Sequence, residues 1–329
     1  MYSVKAKKNA SIIAQFILSL LFLASVFMIT SPTIQSNVIK DFIVEDTLSP
    51  ADDKVNVVLL AGQSNATGYS KLKYLTNQLT KDQKTSFLQG VDNVYINYFN
   101  NNGASSSHNK FEKVGFGQGA NTNTFGPELG LASTLSNAYP STKTFIIKYT
   151  WGGTTLHENW LSPSSKGKTG NLYTAFINFA KANLNYLSEK GYKFNLTALC
   201  WMQGESDSCS MQAVHYEENL KNFIFDLRQD LSESLFSSEL YFIDAGISNC
   251  PQWIAYRQIN KAKQNVSMLS PLNVYIDTIS KGLKFHTEPR VIVDIYHYDA
   301  LSEFNLGNLF AEQIINVCNL KNNIKSKDN

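Results

Sequence analysis

The chain has 329 residues, of which 43% are hydrophobic and 17% charged. This composition suits a globular protein of one large or two small domains, and no low-complexity linker divides it. The formal net charge is +2, but Lys5, Lys7 and Lys8 stand near the amino end; without these three of the 29 basic residues, 26 face 27 acidic ones. With neither a basic excess nor a basic patch interleaved with aromatic residues, the sequence argues against a nucleic-acid partner.

The amino end differs in composition from the rest of the chain. A basic stretch, VKAKKNAS, precedes an apolar run at 12–30. This combination predicts that residues 1–30 form either a secretory signal peptide or an uncleaved membrane anchor. A buried core helix is less favoured, because the basic flank and the terminal position both argue against it. Since lysines favour the cytoplasmic side, we expect the rest of the chain to be secreted or to face the extracytoplasmic side. If the leader is not cleaved, residues 12–30 would attach the protein to the membrane.

Strand candidates begin after a polar stretch at 31–53 that we interpret as a spacer. Apolar runs predict strands at 55–61, 94–98, 144–150, 196–202 and 240–246, with a weaker sixth at 274–277. Most of these runs are continuously apolar rather than alternating, a pattern typical of parallel strands buried on both faces.

Helical spacing of apolar residues predicts helices at 127–139, 172–190, 214–231 and 300–317. Pro127 opens the first of them, at a position where proline is favoured. Strands that alternate with helices indicate a parallel sheet covered on both faces, as one domain at 54–320 with a polar tail at 321–329. In such sheets ligands bind beyond the carboxyl ends of the strands.

Ser64 stands just beyond the first predicted strand, in the stretch LLAGQSNATG. A serine there can direct both its hydroxyl and its backbone N–H into the crevice above the sheet. The alternative is a helix cap, the usual role of a serine that follows a strand. The stretch is not the Gly-x-Ser-x-Gly nucleophile elbow of α/β-hydrolases, because Ala66 takes the place of the last glycine.

Two more strand ends carry hydrogen-bond donors. The third strand ends at Gly152 and Gly153, where a backbone N–H can approach a substrate closely, although an ordinary tight turn explains the same pair. The fourth ends in LCWMQGESDS, where Gln203 offers an amide donor. This amide, a glycine N–H and the serine N–H could converge on one oxygen and stabilise an oxyanion. In the same stretch we expect Glu205 to brace the site and Asp207 to cap the next helix.

An acid and a base stand together in VDIYHYDA near the carboxyl end. Asp294 and His297 are three residues apart, so in a helical turn they share a face. A carboxylate that accepts the imidazole Nδ1–H fixes the tautomer and leaves Nε2 to take the serine proton. Asp299 is the alternative acid, although we expect it to cap the last helix. The other histidines lack such a partner and are interpreted as surface or supporting residues: His108, His157, His215 and His286.

Taken together and in this order, GQSN, FGPELGLA, GGTTL…W, WMQGESD and D-x-x-HYDA…LG resemble the blocks of the SGNH-hydrolase superfamily. They are most similar to the branch of sialate O-acetylesterase-like and carbohydrate esterase family six acetylesterases. The resemblance spans roughly 55–317. It implies a flavodoxin-like three-layer α/β/α sandwich with a parallel five-stranded sheet. It also implies ester hydrolysis without metal or cofactor, usually the release of acetate from acetylated sugars.

Matched position by position, the resemblance implies that Ser64 is the nucleophile and that Asp294 and His297 are the acid and the base. The N–H of Ser64, the N–H of Gly153 and the amide of Gln203 match the oxyanion region. The wider superfamily has an asparagine in the block that matches WMQGESD, whereas this chain has Gln203, as the acetylesterase branch does. The neighbouring residues that match as supporting ones are Gln63, Asn65 and Glu205.

The expected substrate is an acetylated polysaccharide or an acetylated sialic acid. Trp151, Trp160 and Trp253 could stack on a sugar, with core packing as the alternative for each. Two rival functions stay open: a general short-chain or lipid ester hydrolase, and an inactive surface-anchored protein that binds glycans in the same crevice. The complete set of serine, aspartate and histidine argues against the second. A metal-dependent deacetylase is disfavoured, because the histidines show no ligand spacing such as His-x-x-x-His.

Four cysteines, Cys200, Cys209, Cys250 and Cys318, allow three pairings. A bridge is plausible in an exported chain. Cys209 and Cys250 each follow a predicted strand by a few residues, so both could lie on one rim of the sheet. We therefore predict that a disulfide joins this pair.

Overall fold

The structure, a computed structural model, describes residues 42–51, 53–232, 239–289 and 294–325. The predicted leader at 1–30, including the apolar run at 12–30, lies outside the described residues, as do residues 31–41. In the described ranges no helix has the length and apolar character that a membrane span requires.

The part of the predicted spacer that the structure describes, 42–51, packs on the domain. The Phe42 ring is buried and meets the rings of Phe99 and Phe179 edge-on, at centroid distances of 5.3 and 4.9 Å. The Tyr186 hydroxyl accepts the backbone N–H groups of Thr47 and Leu48. The prediction of a spacer is therefore wrong for 42–51, because these contacts are made with residues far along the chain.

Ten strands lie in the described part of the chain, and most are short. They are β1 (Lys54–Gly62), β2 (Ser70–Lys71), β3 (Val94–Asn100), β4 (Ser105–Ser106), β5 (Glu112–Lys113), β6 (Thr124–Phe125), β7 (Thr144–Thr150), β8 (Lys193–Met202), β9 (Tyr241–Ala245) and β10 (Asn273–Ile276).

The central sheet contains six parallel strands in the order β10-β9-β8-β1-β7-β3. The two-residue strands β4 and β5 extend it antiparallel to β3, and β2 pairs separately with β6. The predicted count of five is corrected to six, because the weak candidate at 274–277 does form β10. Its side chains are mostly half-exposed, as befits an edge strand, so its apolar signal is weaker.

The first strand lies in the middle of the sheet. β1 is bordered by β7 and β8, and its residues from Val57 to Ala61 are fully buried. In the flavodoxin order the first strand lies between the second and third parallel strands; here it lies between the third and the fourth. The carboxyl ends of β1, β7 and β8 consequently meet at one edge of the sheet, where the crevice is expected.

Helices flank this sheet, and three of the four predicted ones, at 127–139, 172–190 and 214–231, have bounds close to the observed ones. Those in the described residues are Ser64–Thr67, Leu72–Leu75, Lys81–Gln89, Glu128–Ala138, Asn171–Glu189, Glu205–Ser208, Tyr216–Asp230, Tyr256–Ser267 and Ala300–Lys325, with a 3₁₀ turn at Met211–His215.

The helices form a layer on each face. Successive side chains of β7 point to opposite faces. The Tyr149 ring packs on Phe179 of the helix Asn171–Glu189, whereas Lys148 forms a buried ion pair with Glu128 of the helix Glu128–Ala138. The helix Tyr216–Asp230 joins the Tyr149 face, and Ala300–Lys325 packs on Glu128–Ala138. The predicted three-layer α/β/α sandwich is confirmed.

The last helix continues past its predicted end. It runs from Ala300 to Lys325, so residues 321–325 are helical and only 326–329 of the predicted tail lie outside the described residues. It crosses the helix Glu128–Ala138 very closely: a Cβ on Gly130 would lie 1.9 Å from the Phe304 carbonyl oxygen, and one on Gly307 would lie 2.0 Å from that of Pro127. Only glycine permits this crossing.

The predicted disulfide is absent. All four cysteines are free thiols. The Sγ of Cys209 donates to the carbonyl oxygen of Gln252 at 3.2 Å, and that of Cys250 donates to the carbonyl oxygen of Ile295 at 2.9 Å. The prediction was wrong because proximity to one rim does not orient two thiols toward each other, and each of these has its own acceptor.

Candidate active site

Ser64 begins the short helix that follows β1. The chain enters this helix through Gly62, whose φ is 139° and where a Cβ would lie 2.0 Å from the Met202 carbonyl oxygen of β8. Ser64 is half-exposed at the carboxyl edge of the sheet. As the first helical residue, its N–H has no acceptor within the helix. Its side chain does not occupy the cap position, which belongs to Gln63.

Asp294 and His297 form a hydrogen-bonded pair. The imidazole Nδ1 lies 2.9 Å from Oδ2 of Asp294, and Oδ1 accepts the backbone N–H groups of Tyr296 and His297. Burial alone would raise the pKa of Asp294, but the hydrogen bond and charge of His297, with these N–H groups, hold it well below its usual range. The carboxylate is therefore charged at neutral pH and orients the ring with Nε2 directed away from it.

The backbone next to His297 is bound at both of its polar groups by the loop that carries Ser64. Asn65 Oδ1 accepts the N–H of Tyr298 at 3.1 Å. The Ser70 hydroxyl donates to the carbonyl oxygen of Tyr298 at 2.6 Å. The chain segments of Ser64 and His297 are thus held side by side.

Tyr69 covers the imidazole. Its ring stacks on that of His297 with the centroids 4.6 Å apart and the planes 9° from parallel. Its hydroxyl oxygen accepts a hydrogen bond from Asn101 Nδ2 at 3.1 Å. The ring therefore limits rotation of the imidazole, and the hydroxyl reaches toward the end of β3.

The two glycines after β7 differ in their contacts. The Gly152 N–H donates to Asn101 Oδ1 at 2.8 Å, and a Cβ on Gly152 would lie 3.4 Å from Ser64 Cβ. Gly153 has a φ of 71°, in the left-handed region that favours glycine. No acceptor for its N–H is found among the described residues, so this N–H can serve a substrate oxygen.

Gln203 is fully buried, and its amide is engaged. Its Nε2 lies 2.6 Å from Asp207 Oδ2, 3.0 Å from the Thr154 carbonyl oxygen and 3.3 Å from Gln63 Oε1. Its Oε1 accepts from the Tyr216 hydroxyl. An amide nitrogen has two protons. To meet the predicted oxyanion role, Gln203 would have to release one of these acceptors.

Asp207 lies inside the short helix Glu205–Ser208 and does not cap the next one, which corrects the expectation for it. Its carboxylate is buried and accepts from Gln203 and from the backbone N–H groups of Leu156 and His157. Burial raises its pKa to about 6, and these hydrogen bonds oppose the rise. It therefore ties the loop after β8 to the loop after β7.

Gln63 and Glu205 connect the GQSN and WMQGESD blocks of the sequence. Gln63 Oε1 accepts the backbone N–H groups of Gly204 and Ser206. Glu205 Oε1 accepts from Asn65 Nδ2 at 2.7 Å, while Oε2 is buried with no hydrogen-bond partner in the described chain. Burial raises the pKa of Glu205, opposed by the bond from Asn65. Asn65 thus bridges Glu205 and Tyr298 with its two amide ends.

Other candidates lie elsewhere. The Asp299 carboxylate accepts the Thr287 N–H and does not contact His297. His157 and His215 stack on each other with centroids 5.5 Å apart. Trp160 is fully buried and Trp253 nearly so, whereas Trp151 is half-exposed beside Gly152.

The sequence patterns missed four residues that shape the site: Tyr69, Ser70, Asn101 and Tyr298. Tyr69 and Ser70 follow the GQSNATG stretch directly, and Tyr298 follows His297, so nearness to predicted site residues was the only available signal. Asn101 follows β3, and the strand-end argument applied to Ser64 would also have selected it. Their contacts with each other cannot be read from local spacing.

A parallel α/β/α sandwich with a serine beyond its first strand and a late aspartate–histidine pair is the architecture of an SGNH-type hydrolase. The profile of one family, "Carbohydrate esterase, sialic acid-specific acetylesterase", matches residues 54–316. The chain belongs to this family and is a carbohydrate O-acetylesterase, a carboxylic ester hydrolase. No curated protein matches the chain.

Solved structures share the fold at low identity. NanS is 17% identical with a TM-score of 0.59, over 83% of this chain and 99% of NanS. A protein from Arabidopsis thaliana is 18% identical with a TM-score of 0.58, over 79% of this chain and 98% of its own. A carbohydrate acetylesterase from Xanthomonas citri is 16% identical with a TM-score of 0.50, over 78% of this chain and 54% of its own.

Proposed function

We propose that this protein removes O-acetyl groups from carbohydrate through an acyl-enzyme formed on Ser64, with His297 as the base and Asp294 as its partner. The observation that carries the proposal is the attachment of Tyr298 to Asn65 and Ser70, which holds the base-bearing segment against the nucleophile-bearing one. The contact of Asp294 with Nδ1 leaves Nε2 as the proton acceptor.

In the first step, His297 Nε2 takes the proton of the Ser64 hydroxyl while the oxygen attacks the acetyl carbonyl carbon. The imidazolium then gives this proton to the sugar oxygen as the bond between that oxygen and the acetyl carbon breaks. The sugar leaves with its hydroxyl restored, and the acetyl group stays on Ser64. In the second step water replaces the serine hydroxyl in the same sequence, and acetate is released.

The negative oxygen of each tetrahedral intermediate needs hydrogen-bond donors. The N–H of Ser64, at the start of its helix, and the N–H of Gly153 are suited to this role. Gln203, with its amide on Thr154 and Asp207, holds together the loops that position these groups. It is a third donor only if it exchanges one of those acceptors for the oxyanion.

An acetylated sugar as substrate agrees with the family description. The carbohydrate acetylesterase from Xanthomonas citri, which shares the fold, is consistent with it. Trp151 supports the same conclusion, because its half-exposed ring stands next to Gly152 and can stack on a sugar ring. We place the reaction outside the cytoplasm, on the composition of residues 1–30.

The decisive experiment combines a nucleophile variant with a substrate panel. Ser64→Ala is compared with Ser188→Ala, an exposed serine of the helix Asn171–Glu189, for acetate release from O-acetylated sialic acid and acetylated xylan. 4-Nitrophenyl acetate and tributyrin serve as simple esters. Ser64→Ala should lower turnover on the order of a thousandfold or more. A fluorophosphonate probe should label the parent protein and Ser188→Ala but not Ser64→Ala.

Three results would overturn the proposal. If folded Ser64→Ala turned over substrate at the parent rate, Ser64 would not be the nucleophile. Hydrolysis of tributyrin far faster than of any acetylated sugar would favour a general short-chain ester hydrolase, and sugar binding without acetate release would favour a glycan-binding protein.

A further inference from the structure

We propose that the Tyr69 hydroxyl is a further catalytic group, which donates a hydrogen bond to the carbonyl oxygen of the bound ester as negative charge develops on it. The inference rests on the proposed function of Ser64. It gives the oxyanion a donor from the first loop in addition to the two backbone N–H groups.

The first argument is position. The Tyr69 hydroxyl oxygen lies 3.4 Å from the point that a Cβ on Gly152 would occupy, and Ser64 Cβ lies 3.4 Å from the same point. The hydroxyl and Ser64 Cβ are therefore at most twice that distance apart. Gly152 puts no side chain between them. An acetyl group bonded to Ser64 Oγ can reach this space.

The second argument is the direction of the hydroxyl proton. Asn101 Oδ1 accepts the Gly152 N–H, which fixes the amide so that Nδ2 faces Tyr69. The Tyr69 oxygen is thus an acceptor toward Asn101. Its own proton has no acceptor among the described residues, so it is available to a ligand.

The third argument is that the competing donors are occupied. The Gly152 N–H is held by Asn101, and the Gln203 amide is held by Asp207 and Thr154. Only the N–H groups of Ser64 and Gly153 remain from the predicted set. The half-exposed Tyr69 phenol lies next to both Ser64 and His297, and it supplies the hydrogen-bond donor that the buried Gln203 does not.

Protonation agrees with this role. Burial raises the pKa of Tyr69 above that of a free phenol, with the hydrogen bond from Asn101 in opposition. The hydroxyl therefore keeps its proton at neutral pH and can donate.

The test separates the hydroxyl of Tyr69 from its ring. Tyr69→Phe keeps the stacking on His297 and removes the donor. Tyr192→Phe is the matched control, because its hydroxyl lies at the opposite edge of the sheet, 3.5 Å from the Ser49 carbonyl oxygen. For 4-nitrophenyl acetate, Tyr69→Phe should lower kcat by about a hundredfold, and at least about tenfold, with KM little changed, since the lost interaction belongs to the transition state. Tyr192→Phe should match the parent.

A second measurement distinguishes donation from a purely structural role. If the Tyr69 hydroxyl acted only through the surroundings of His297, its loss in Tyr69→Phe would move the acid limb of the kcat/KM profile against pH. We expect this limb to stay in place in Tyr69→Phe, and the urea midpoint to match the parent. A fall in kcat smaller than about tenfold, a change confined to KM, or a displaced acid limb would each overturn the inference.

Failure of this inference and failure of the proposed function give different results. If Ser64→Ala is inactive and unlabelled while Tyr69→Phe turns over like the parent, only the role of Tyr69 is lost. If Ser64→Ala stays active, the acyl-enzyme itself is wrong, and the role of Tyr69 falls with it.

Discussion

Asn65, the residue after Ser64, accepts a hydrogen bond from the backbone N–H of Tyr298, the residue after His297, across 233 positions of sequence. The other end of the same amide donates to the buried Glu205. One side chain therefore joins the GQSN, WMQGESD and D-x-x-HYDA blocks, and the relative placement of the proposed nucleophile and base depends on it.

Replacing Asn65 should damage both activity and stability. Asn65→Ala leaves Glu205 Oε1 and the Tyr298 N–H without these partners, which should cost about 1–3 kcal/mol for each buried group left unpaired. Turnover of 4-nitrophenyl acetate should fall with it. The exposed Asn77→Ala is the control, measured by urea unfolding and kinetics. If Asn65→Ala matches Asn77→Ala in both measurements, the bridge has no such role.

Replacing the proposed acid should lower the rate. Asp294→Asn cannot hold the imidazole in the required tautomer, so kcat should fall on the order of a thousandfold or more. Asp299→Asn should keep kcat near the parent value, since its carboxylate contacts Thr287 and not His297. The reverse pattern would make Asp299 the acid.

The buried ion pair beneath the Ser64 helix should be essential to the fold. Lys148 Nζ lies 2.7 Å from Glu128 Oε2 and also donates to the Thr67 carbonyl oxygen, with both side chains of the pair inaccessible to solvent. Lys148→Met leaves a buried carboxylate unpaired and should lower the free energy of unfolding by about 3–5 kcal/mol.

An exposed pair provides the comparison for Lys148. Lys113 and Asp92 lie 2.9 Å apart at the surface, and Lys113→Met should change the free energy of unfolding by less than about 1 kcal/mol. Urea titrations measure both variants. Equal effects at the two sites would show that burial does not control the energy of the pair.

The close helix crossing predicts an unusual response to alanine. In a helix interior, glycine to alanine is normally stabilising by about 0.5–1 kcal/mol. At Gly130 a Cβ would lie 1.9 Å from the Phe304 carbonyl oxygen, so Gly130→Ala should instead destabilise by at least about 1–3 kcal/mol. Asn137→Ala, at an exposed position of the same helix, should be neutral or slightly stabilising. Thermal unfolding tests this, and a stabilised Gly130→Ala would refute the crossing.

Asp207 should make stability depend on pH in a definite direction. Burial raises its pKa to about 6 from an ordinary value of 3.8. Its contribution to the free energy of unfolding is complete below pH 3.8. This contribution, roughly 3 kcal/mol in all, is lost as the pH rises through 6. Asparagine at this position cannot ionise. The free energy of unfolding of the parent, minus that of Asp207→Asn, should therefore be larger at pH 4 than at pH 7.5.

Urea titrations of the parent and Asp207→Asn at these two pH values give the difference directly. Asp244 has its pKa raised by burial to about 6 despite its pair with Lys263, but it titrates in both proteins and cancels. A difference that is the same at both pH values would show that Asp207 does not titrate as described.

Local pattern alone predicted much of this protein. Five strands, the main helices and the pairing of Asp294 with His297 follow from burial periodicity and from a spacing of three residues, and both are properties of neighbours in sequence. β10 gave only a weak signal, because an edge strand is not continuously apolar. The packing of Phe42 gave no signal in the sequence, since its ring partners lie more than fifty residues away along the chain.

The sequence by itself therefore determined the class of fold, the family and the residues that could perform ester hydrolysis. Only the tertiary structure decided that Gln203 is bound to Asp207 and Thr154, that Tyr69 covers His297, and that Cys209 and Cys250 are free thiols. The physical reason is that a hydrogen bond or a stacked ring depends on the direction of side chains brought together from distant segments. Composition and spacing carry no record of that direction.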